Sequence, residues 1–87
     1  MKKITMFVMK SCPHCQRALR WMDELFAENA AYKNLEIEII DEIAQSAIAN
    51  RYNYYYVPTY YVENEKLHEG VASPEIVRRV FDAAMQG

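Results

Sequence analysis

The sequence has few cysteines, no excess of positive charge and no long apolar run. Its 87 residues include only two cysteines, Cys12 and Cys15. Ten lysine and arginine residues stand against 12 aspartate and glutamate residues, for a net charge of -2. Because no basic field is available to hold a phosphate backbone, we expect no nucleic-acid partner. No stretch approaches the roughly 18 apolar residues of a membrane-spanning helix, so we expect no membrane partner either.

The first residues raise the question of a secretory signal. Such a signal begins with a basic part and continues with an apolar part, as do Met1-Lys2-Lys3 and the run from Ile4 to Met9. The apolar run is too short for a signal, however, and Lys10 ends it. A buried β-strand accounts for the same residues. We therefore expect a cytoplasmic protein. In that reducing compartment a lone cysteine pair is more typical of catalysis or metal binding than of a structural disulfide.

The composition is sufficient for one small packed domain. Apolar residues make up 52% of the sequence and aromatic residues 13%, which is ample for a core in a chain of this length. No repeat, linker or low-complexity segment interrupts the chain. We predict a single domain, residues 1–87, and expect it to be a monomer.

In the first half of the chain, apolar periodicity predicts alternating strands and helices. A continuous apolar run predicts a central strand over residues 4–9, and Pro13 can begin a helix that ends near Glu28. Alternating apolar residues predict a second strand over 35–39 with one face in water. Asp41 is expected to cap a second helix that ends near Tyr52. Its buried side would be formed by Ile43, Ala44, Ala47 and Ile48.

The second half predicts a hairpin followed by a helix. Pro58 interrupts the aromatic run 54–62, which places it at the start or edge of a third strand. A turn over 63–66 leads to a short antiparallel strand over 67–69. Ser73-Pro74-Glu75 predicts a helix start, with serine as the cap. The order is β-α-β-α-β-β-α, and the last helix would bury Ile76, Val77, Val80, Phe81 and Ala84.

Two short motifs connect this order to a known family. Cys12-Pro13-His14-Cys15 lies where the first strand meets the first helix, and Val57-Pro58-Thr59 opens the third strand. With them the whole chain resembles the thioredoxin fold in its minimal glutaredoxin-like form. The resemblance implies an α/β fold with a four-stranded mixed sheet. It also implies that the Val57–Pro58 peptide bond is cis and that Pro58 faces the two sulfur atoms.

The motif differs from those of the best-known subfamilies. Ser11 precedes Cys12 where thioredoxins carry tryptophan, and Pro13-His14 replaces their Gly-Pro and the Pro-Tyr of glutaredoxins. Gly70-Val71-Ala72-Ser73 replaces the Gly-Gly and acidic residue of glutaredoxins. The Pro-His pair is similar to that of the periplasmic disulfide oxidases of the same superfamily, which are larger and exported.

The position of the cysteines predicts their chemistry. A thiol attacks a disulfide as its thiolate, and the N–H groups and dipole of a helix N-terminus stabilise that anion. Cys12, just before the first turn, is therefore the predicted nucleophile. Cys15, one turn further in, is expected to be more buried and to resolve the mixed disulfide. His14, if protonated, and Lys10 are expected to add positive charge, and with Pro13 they are our candidates for tuning the pKa and the redox potential.

These residues predict a thiol-disulfide oxidoreductase. It would reduce or exchange disulfides in proteins or glutathione mixed disulfides, with no bound cofactor but with glutathione as a candidate co-substrate. A thioredoxin or glutathione reductase system would supply electrons. Tyr56, Val57 and Pro58 are predicted to contact the substrate. The alternative is a non-catalytic module of the same fold that uses the cysteines for redox sensing or for a metal or iron–sulfur cluster, since Cys-x-x-Cys also occurs in such sites; we assign no metal ligands.

Overall fold

A computed structural model of the protein describes residues 1–86 and has the predicted order of elements. The strands are β1 (Ile4–Val8), β2 (Ile37–Asp41), β3 (Thr59–Val62) and β4 (Glu65–Glu69). The helices are α1 (Pro13–Glu28), α2 (Ser46–Ala49) and α3 (Pro74–Met85), with a 3₁₀ helix (Ala30–Asn34) between α1 and β2. Gly87, the last residue of the predicted domain, lies outside the described residues.

The four strands form one mixed sheet in the order β2-β1-β3-β4. β2 runs parallel to β1, whereas β1 and β3, and β3 and β4, are antiparallel. Every residue of the two central strands is buried, because both faces of the sheet are covered there. β1 ends one residue earlier than predicted, at Val8. The structure thus confirms the predicted α/β fold and the four-stranded mixed sheet.

The two faces of the sheet are covered differently. On one face α1 and α3 pack against β1 and β3, in a core that includes Met6, Ala18 and Val80. On the other face Phe7 lies among aromatic rings, with centroids 4.7 Å from Tyr52 and 4.8 Å from Tyr54. Long helices cover the first face, while the short α2 and tyrosine side chains cover the second.

The second strand lies two residues later than predicted. β2 begins at Ile37, opposite Ile4, because its register is set by pairing with β1. Leu35 is buried, but it lies before the strand. Ile39, predicted to face the core, is 46% exposed on this edge strand, and Ile40 is buried instead. The predicted alternation was therefore wrong for the second half of β2.

The predicted helix over 41–52 was also wrong in extent. Only the single turn of α2 is helical. Asp41 is the last residue of β2, and its carboxylate accepts the N–H groups of Ile43 and Ala44 at 2.9 and 3.1 Å. The carboxylate therefore caps a turn directly after the strand. Ile43, Ala44 and Ala47, predicted to be buried, are exposed.

β3 begins at Thr59, directly after Pro58, so the predicted place of Pro58 at the start of the third strand is confirmed. The residues from 54 to 58 form an irregular segment. The hairpin turn is shorter than predicted. β4 begins at Glu65, so the turn is Glu63-Asn64 rather than the predicted four residues. Glu63 adopts a φ of 53°, the left-handed conformation that tight hairpin turns require.

The starts of the two long helices are confirmed. α1 begins at Pro13 and α3 at Pro74. The Ser73 hydroxyl accepts the N–H of Ile76 at 3.1 Å, so serine caps α3 as predicted. No helix within residues 1–86 is long and apolar enough to span a lipid bilayer.

Candidate active site

One end of the sheet brings together four segments that are distant in the sequence. Val8 pairs with Asp41 in parallel strands, so the segments after β1 and β2 leave the sheet at the same end. Phe7 pairs with Thr59, and Thr59 pairs with Glu69, in antiparallel strands. The segments before β3 and after β4 therefore lie at that end too. We call it the thiol end; its segments are residues 9–12, 42–45, 53–58 and 70–72.

A tight turn places Cys12 at the start of α1. The Cys12 N–H donates to the carbonyl of Met9 at 2.9 Å. The Lys10 N–H donates to the Asp41 carboxylate at 3.0 Å, and the side-chain amide of Gln16 donates to the Lys10 carbonyl at 3.1 Å. The turn is thus tied to both β2 and α1, which fixes the position of Cys12.

The two thiols lie in different environments. Both cysteines are reduced; Cys12 is partly exposed, whereas Cys15 is 1% exposed. Burial raises the pKa of Cys15 to about 12; the N–H of Met9 opposes this shift, and interactions with Cys12 and Glu42 add to it. At neutral pH the Cys15 thiol therefore keeps its proton.

The pKa of Cys12 is shifted the other way. Partial burial would raise the pKa, but the backbone N–H of Cys15, the Cys15 thiol, the N–H of His14 and the charge of Arg17 together lower it below its ordinary value. The sulfur makes no regular capping hydrogen bond, yet these N–H groups are near enough to favour a negative charge. The structure confirms the predicted placement of Cys12 at the helix start and the deeper burial of Cys15.

Arg17 is a cation that acts on Cys12, and it was not among the residues predicted for the site. Its guanidinium donates to Nδ1 of His14 at 2.6 Å. An arginine can only donate, so Nδ1 of His14 is the acceptor in this contact. The signal in the sequence that could have identified this contact is the spacing of His14 and Arg17, because residues three apart on a helix lie on the same face. His14 thus contacts the charged group of Arg17, and the predicted tuning role of His14 stays a prediction.

Lys10 lies two residues before Cys12 in the chain, and Pro13 directly follows Cys12. The N–H groups of Ala44, Ile43 and Lys10, together with the charge of Lys10, lower the pKa of the Asp41 carboxyl below its usual value. The backbone of Lys10 is thus hydrogen-bonded to Asp41 of β2, while Pro13 is the first residue of α1. Their predicted effect on the redox potential stays a prediction.

The segment before β3 has the predicted backbone geometry. The Val57–Pro58 peptide bond is cis, as the family resemblance implied. Pro58 is buried, and its carbonyl accepts the N–H of Gly70 at 2.9 Å. Val57 and Cys12 pack against the same core cluster, while Tyr56 is exposed. The contact of Tyr56, Val57 and Pro58 with a substrate stays a prediction.

Exposed apolar side chains surround the thiol end. Ile43 is 70% exposed, Tyr55 86%, Tyr56 70% and Val71 62%. They come from three different segments of the thiol end, so they form a surface only in the folded chain. Grouped apolar side chains on a surface are typical of sites that contact other molecules.

The described residues show no ready metal site. Among residues 1–86, no three histidine, cysteine, aspartate or glutamate side chains are grouped to hold a metal ion. Nε2 of His68 lies 2.9 Å from the Val71 carbonyl and 3.1 Å from the Gly70 carbonyl, so this ring is engaged with backbone. The described residues therefore offer no set of metal ligands, and the alternative of a metal-binding module stays a prediction.

Comparison with known proteins points to one family and one fold. The family model described as thioredoxin domain matches residues 2–82. No curated protein sequence matches the chain significantly. Among solved structures, the oxidised thioredoxin from Plasmodium falciparum is similar, with 17% identity and a TM-score of 0.70 over 92% of this chain and 77% of that one.

Two further solved structures show the same likeness. A mutant thioredoxin-like protein is 23% identical, with a TM-score of 0.62 over 90% of this chain and 97% of that one. The first two thioredoxin domains of Saccharomyces cerevisiae Eps1p are 21% identical, with a TM-score of 0.57 over 95% of this chain and 34% of that one. These likenesses confirm the predicted fold. The fold together with the two neighbouring cysteines supports a thiol-redox role.

Proposed function

The chain belongs to the thioredoxin domain family, and on that basis we propose that it is a thiol-disulfide oxidoreductase with Cys12 as nucleophile and Cys15 as resolving thiol. The main support is the contrast between the two thiols. Cys12 is partly exposed and has a lowered pKa, whereas Cys15 is buried and has a raised pKa. Only the thiolate attacks a disulfide, so Cys12 is the thiol prepared for attack at neutral pH.

The reaction proceeds in two exchange steps. The Cys12 thiolate attacks one sulfur of a substrate disulfide; that S–S bond breaks, and the departing thiolate takes the electron pair and a proton from solvent. Cys15 then loses its proton and attacks the Cys12 sulfur of the mixed disulfide, which releases the second substrate thiolate. The substrate has gained two electrons, and the chain is left with a Cys12–Cys15 disulfide. An external dithiol or glutathione must return two electrons for the next turnover.

The proposed substrates are disulfides of proteins and glutathione mixed disulfides. The exposed apolar side chains at the thiol end support a polypeptide substrate, because they offer a contact surface beyond the two sulfurs. Glutathione as co-substrate, and a glutathione or thioredoxin reductase as electron source, rest on the family resemblance. We further propose a cytoplasmic monomer that holds no resident cofactor.

Insulin reduction tests the proposal directly. The wild-type chain should accelerate the reduction of insulin by dithiothreitol, and Cys12→Ser should abolish the acceleration. Coupling to NADPH through glutathione with glutathione reductase, or through thioredoxin reductase, identifies the electron source. Lack of acceleration by the wild-type chain, together with reversible oxidation of the two cysteines, would instead support redox sensing.

A further inference from the structure

The irregular segment before β3 is held by one glutamate of β4. We call residues 53–58 the tyrosine loop. One carboxylate oxygen of Glu69 accepts the backbone N–H of Tyr55 at 2.6 Å and that of Tyr56 at 3.0 Å. The other oxygen accepts the ammonium of Lys66 at 2.6 Å. Two consecutive amides of the loop are therefore bound by a single charged group.

Lys66 adds a second attachment to the tyrosine loop. Its ammonium donates to the Asn53 carbonyl at 3.2 Å, and the Tyr61 hydroxyl donates to the same carbonyl at 2.8 Å. Hydrogen bonds with a charged partner are roughly twice as strong as neutral ones. The pKa of Glu69 is lowered to about 2 by Lys66 and by the Tyr55 and Tyr56 amides, so the carboxylate is ionised across the physiological range.

An irregularity in β4 makes this arrangement possible. In a regular strand, residues three apart point to opposite faces of the sheet. Tyr60 pairs with His68 but Tyr61 pairs with Lys66, so one extra residue, Leu67, stands in β4. A bulge of one residue reverses the alternation and brings Lys66 and Glu69 to the same side.

The two amides that Glu69 holds belong to the most exposed rings of the thiol end. Tyr55 is 86% exposed and Tyr56 70% exposed, although their backbone is fixed. A tyrosine ring on a fixed backbone gives up little conformational entropy when it contacts a partner, so it provides contact area at low cost. Val57, in the same loop, packs against the same core cluster as Cys12, and the loop lies at the same end of the sheet as Cys12.

We propose that Lys66 and Glu69 are positioning residues that hold the tyrosine loop so that Tyr55 and Tyr56 dock a disulfide-bearing polypeptide beside Cys12. The inference rests on the proposed function and narrows it, because small disulfides would not need this surface. Glu69 and Lys66 act through the loop backbone, not on the reacting sulfur atoms.

Steady-state kinetics of Glu69→Gln test the proposal, with Glu65→Gln as the matched control. Glu65 is exposed on the same strand, so the control makes the same chemical change. Glu69→Gln should raise KM for insulin about fivefold or more and leave kcat within about twofold. The rate with bis(2-hydroxyethyl) disulfide, a small substrate, and the rate of Cys12 alkylation should match the wild type. Lys66→Met keeps the carboxylate and should raise KM for insulin by less.

An unchanged KM for insulin in Glu69→Gln would overturn the proposal. An equal loss with insulin and with the small disulfide would overturn it as well, because the effect would then lie on the thiols or on the whole fold.

Amide hydrogen exchange separates positioning from catalysis. In Glu69→Gln the amides of Tyr55 and Tyr56 should exchange about tenfold faster, whereas the amide of Tyr60, inside β3, should not change. If these amides exchange at the wild-type rate in an active Glu69→Gln variant, only the positioning role of Glu69 is contradicted. If the wild-type chain reduces neither disulfide, the proposed function and the docking role are both contradicted. The amide exchange rates of Tyr55 and Tyr56 would then still test whether Glu69 holds the loop.

Discussion

The two long helices begin with the same local arrangement and use it differently. Each has proline as its first residue, Pro13 in α1 and Pro74 in α3, preceded by a residue with extended backbone. Before α3 that residue is Ser73, whose hydroxyl accepts the N–H of Ile76 at 3.1 Å. Before α1 it is Cys12, whose sulfur makes no regular capping bond.

The change from oxygen to sulfur alters what the helix start stabilises. A serine hydroxyl satisfies one of the free N–H groups and so stabilises the helix. A neutral thiol is a weak acceptor, but once the thiol loses its proton the same N–H groups and the helix dipole favour its negative charge. A helix N-terminus can therefore stabilise either the fold or a reactive anion, and here one atom of the side chain decides which.

Cys12→Ser should give the largest effect, since it makes the start of α1 chemically equivalent to that of α3. Thiol-disulfide exchange should be lost completely, because the hydroxyl cannot act as the attacking thiolate. The free energy of unfolding should rise by about 0.5–1 kcal/mol as the hydroxyl caps the helix. Insulin reduction and urea denaturation measure the two effects. Residual exchange near the wild-type level would contradict the role of Cys12, and a loss of stability would contradict the comparison.

Alkylation should discriminate strongly between the two cysteines. At pH 7 iodoacetamide should modify Cys12 at least about a hundredfold faster than Cys15, because the pKa of Cys12 is lowered while burial raises that of Cys15 to about 12. The Cys12 rate should rise with pH as its thiolate forms and level off earlier than that of a free cysteine. Mass spectrometry of quenched samples identifies the modified residue. Modification of Cys15 first would reverse the assignment of the two roles.

Ser73→Ala tests the purely structural helix start. Loss of the cap should lower the free energy of unfolding by about 1 kcal/mol. Insulin reduction by the folded variant should not change, since Ser73 only caps α3 in our interpretation. Ser46→Ala, at an exposed residue of α2, is the control and should have a smaller effect on stability. A large fall in activity of folded Ser73→Ala would show that the α3 start also contributes to the site.

Arg17→Met should have the smallest effect. The charge of Arg17 contributes to the lowered pKa of Cys12, but it acts from an exposed side chain. Alkylation of Cys12 at pH 7 should slow about twofold, which is typical of an exposed charge interaction, and the difference should shrink in high salt. Arg20→Met, on the same helix, is the charge-matched control. A similar slowing in both variants would mean that net charge alone is responsible.

The elements that were predicted best have their signals in adjacent residues. Proline at the first helical position and serine before it place α3 within one residue, and Pro13 does the same for α1. β2 and α2 lack such signals. The register of β2 depends on its pairing with β1, and the carboxylate of Asp41 serves a turn at the point where a longer helix was predicted.

The residues of the site were likewise predictable only where the signal lies in nearby residues of the sequence. The spacing of Cys12 and Cys15 before an amphipathic helix was enough to predict their placement. The contact of Glu69 with Tyr55 was not predictable, because it joins residues 14 apart and depends on the bulge in β4. The local sequence does not indicate where a strand gains an extra residue, so the side of the sheet on which Glu69 lies appears only in the fold.

Because Cys15 is buried, the reactivity of its thiol reports on local unfolding of the chain. Cys15 is 1% exposed, so a labelling reagent reaches its thiol only when a local opening exposes it. In Cys12→Ser this is the only thiol left, and its labelling rate at saturating reagent equals the frequency of those openings. In purified protein the labelling rate of Cys15 therefore measures local unfolding without any substrate.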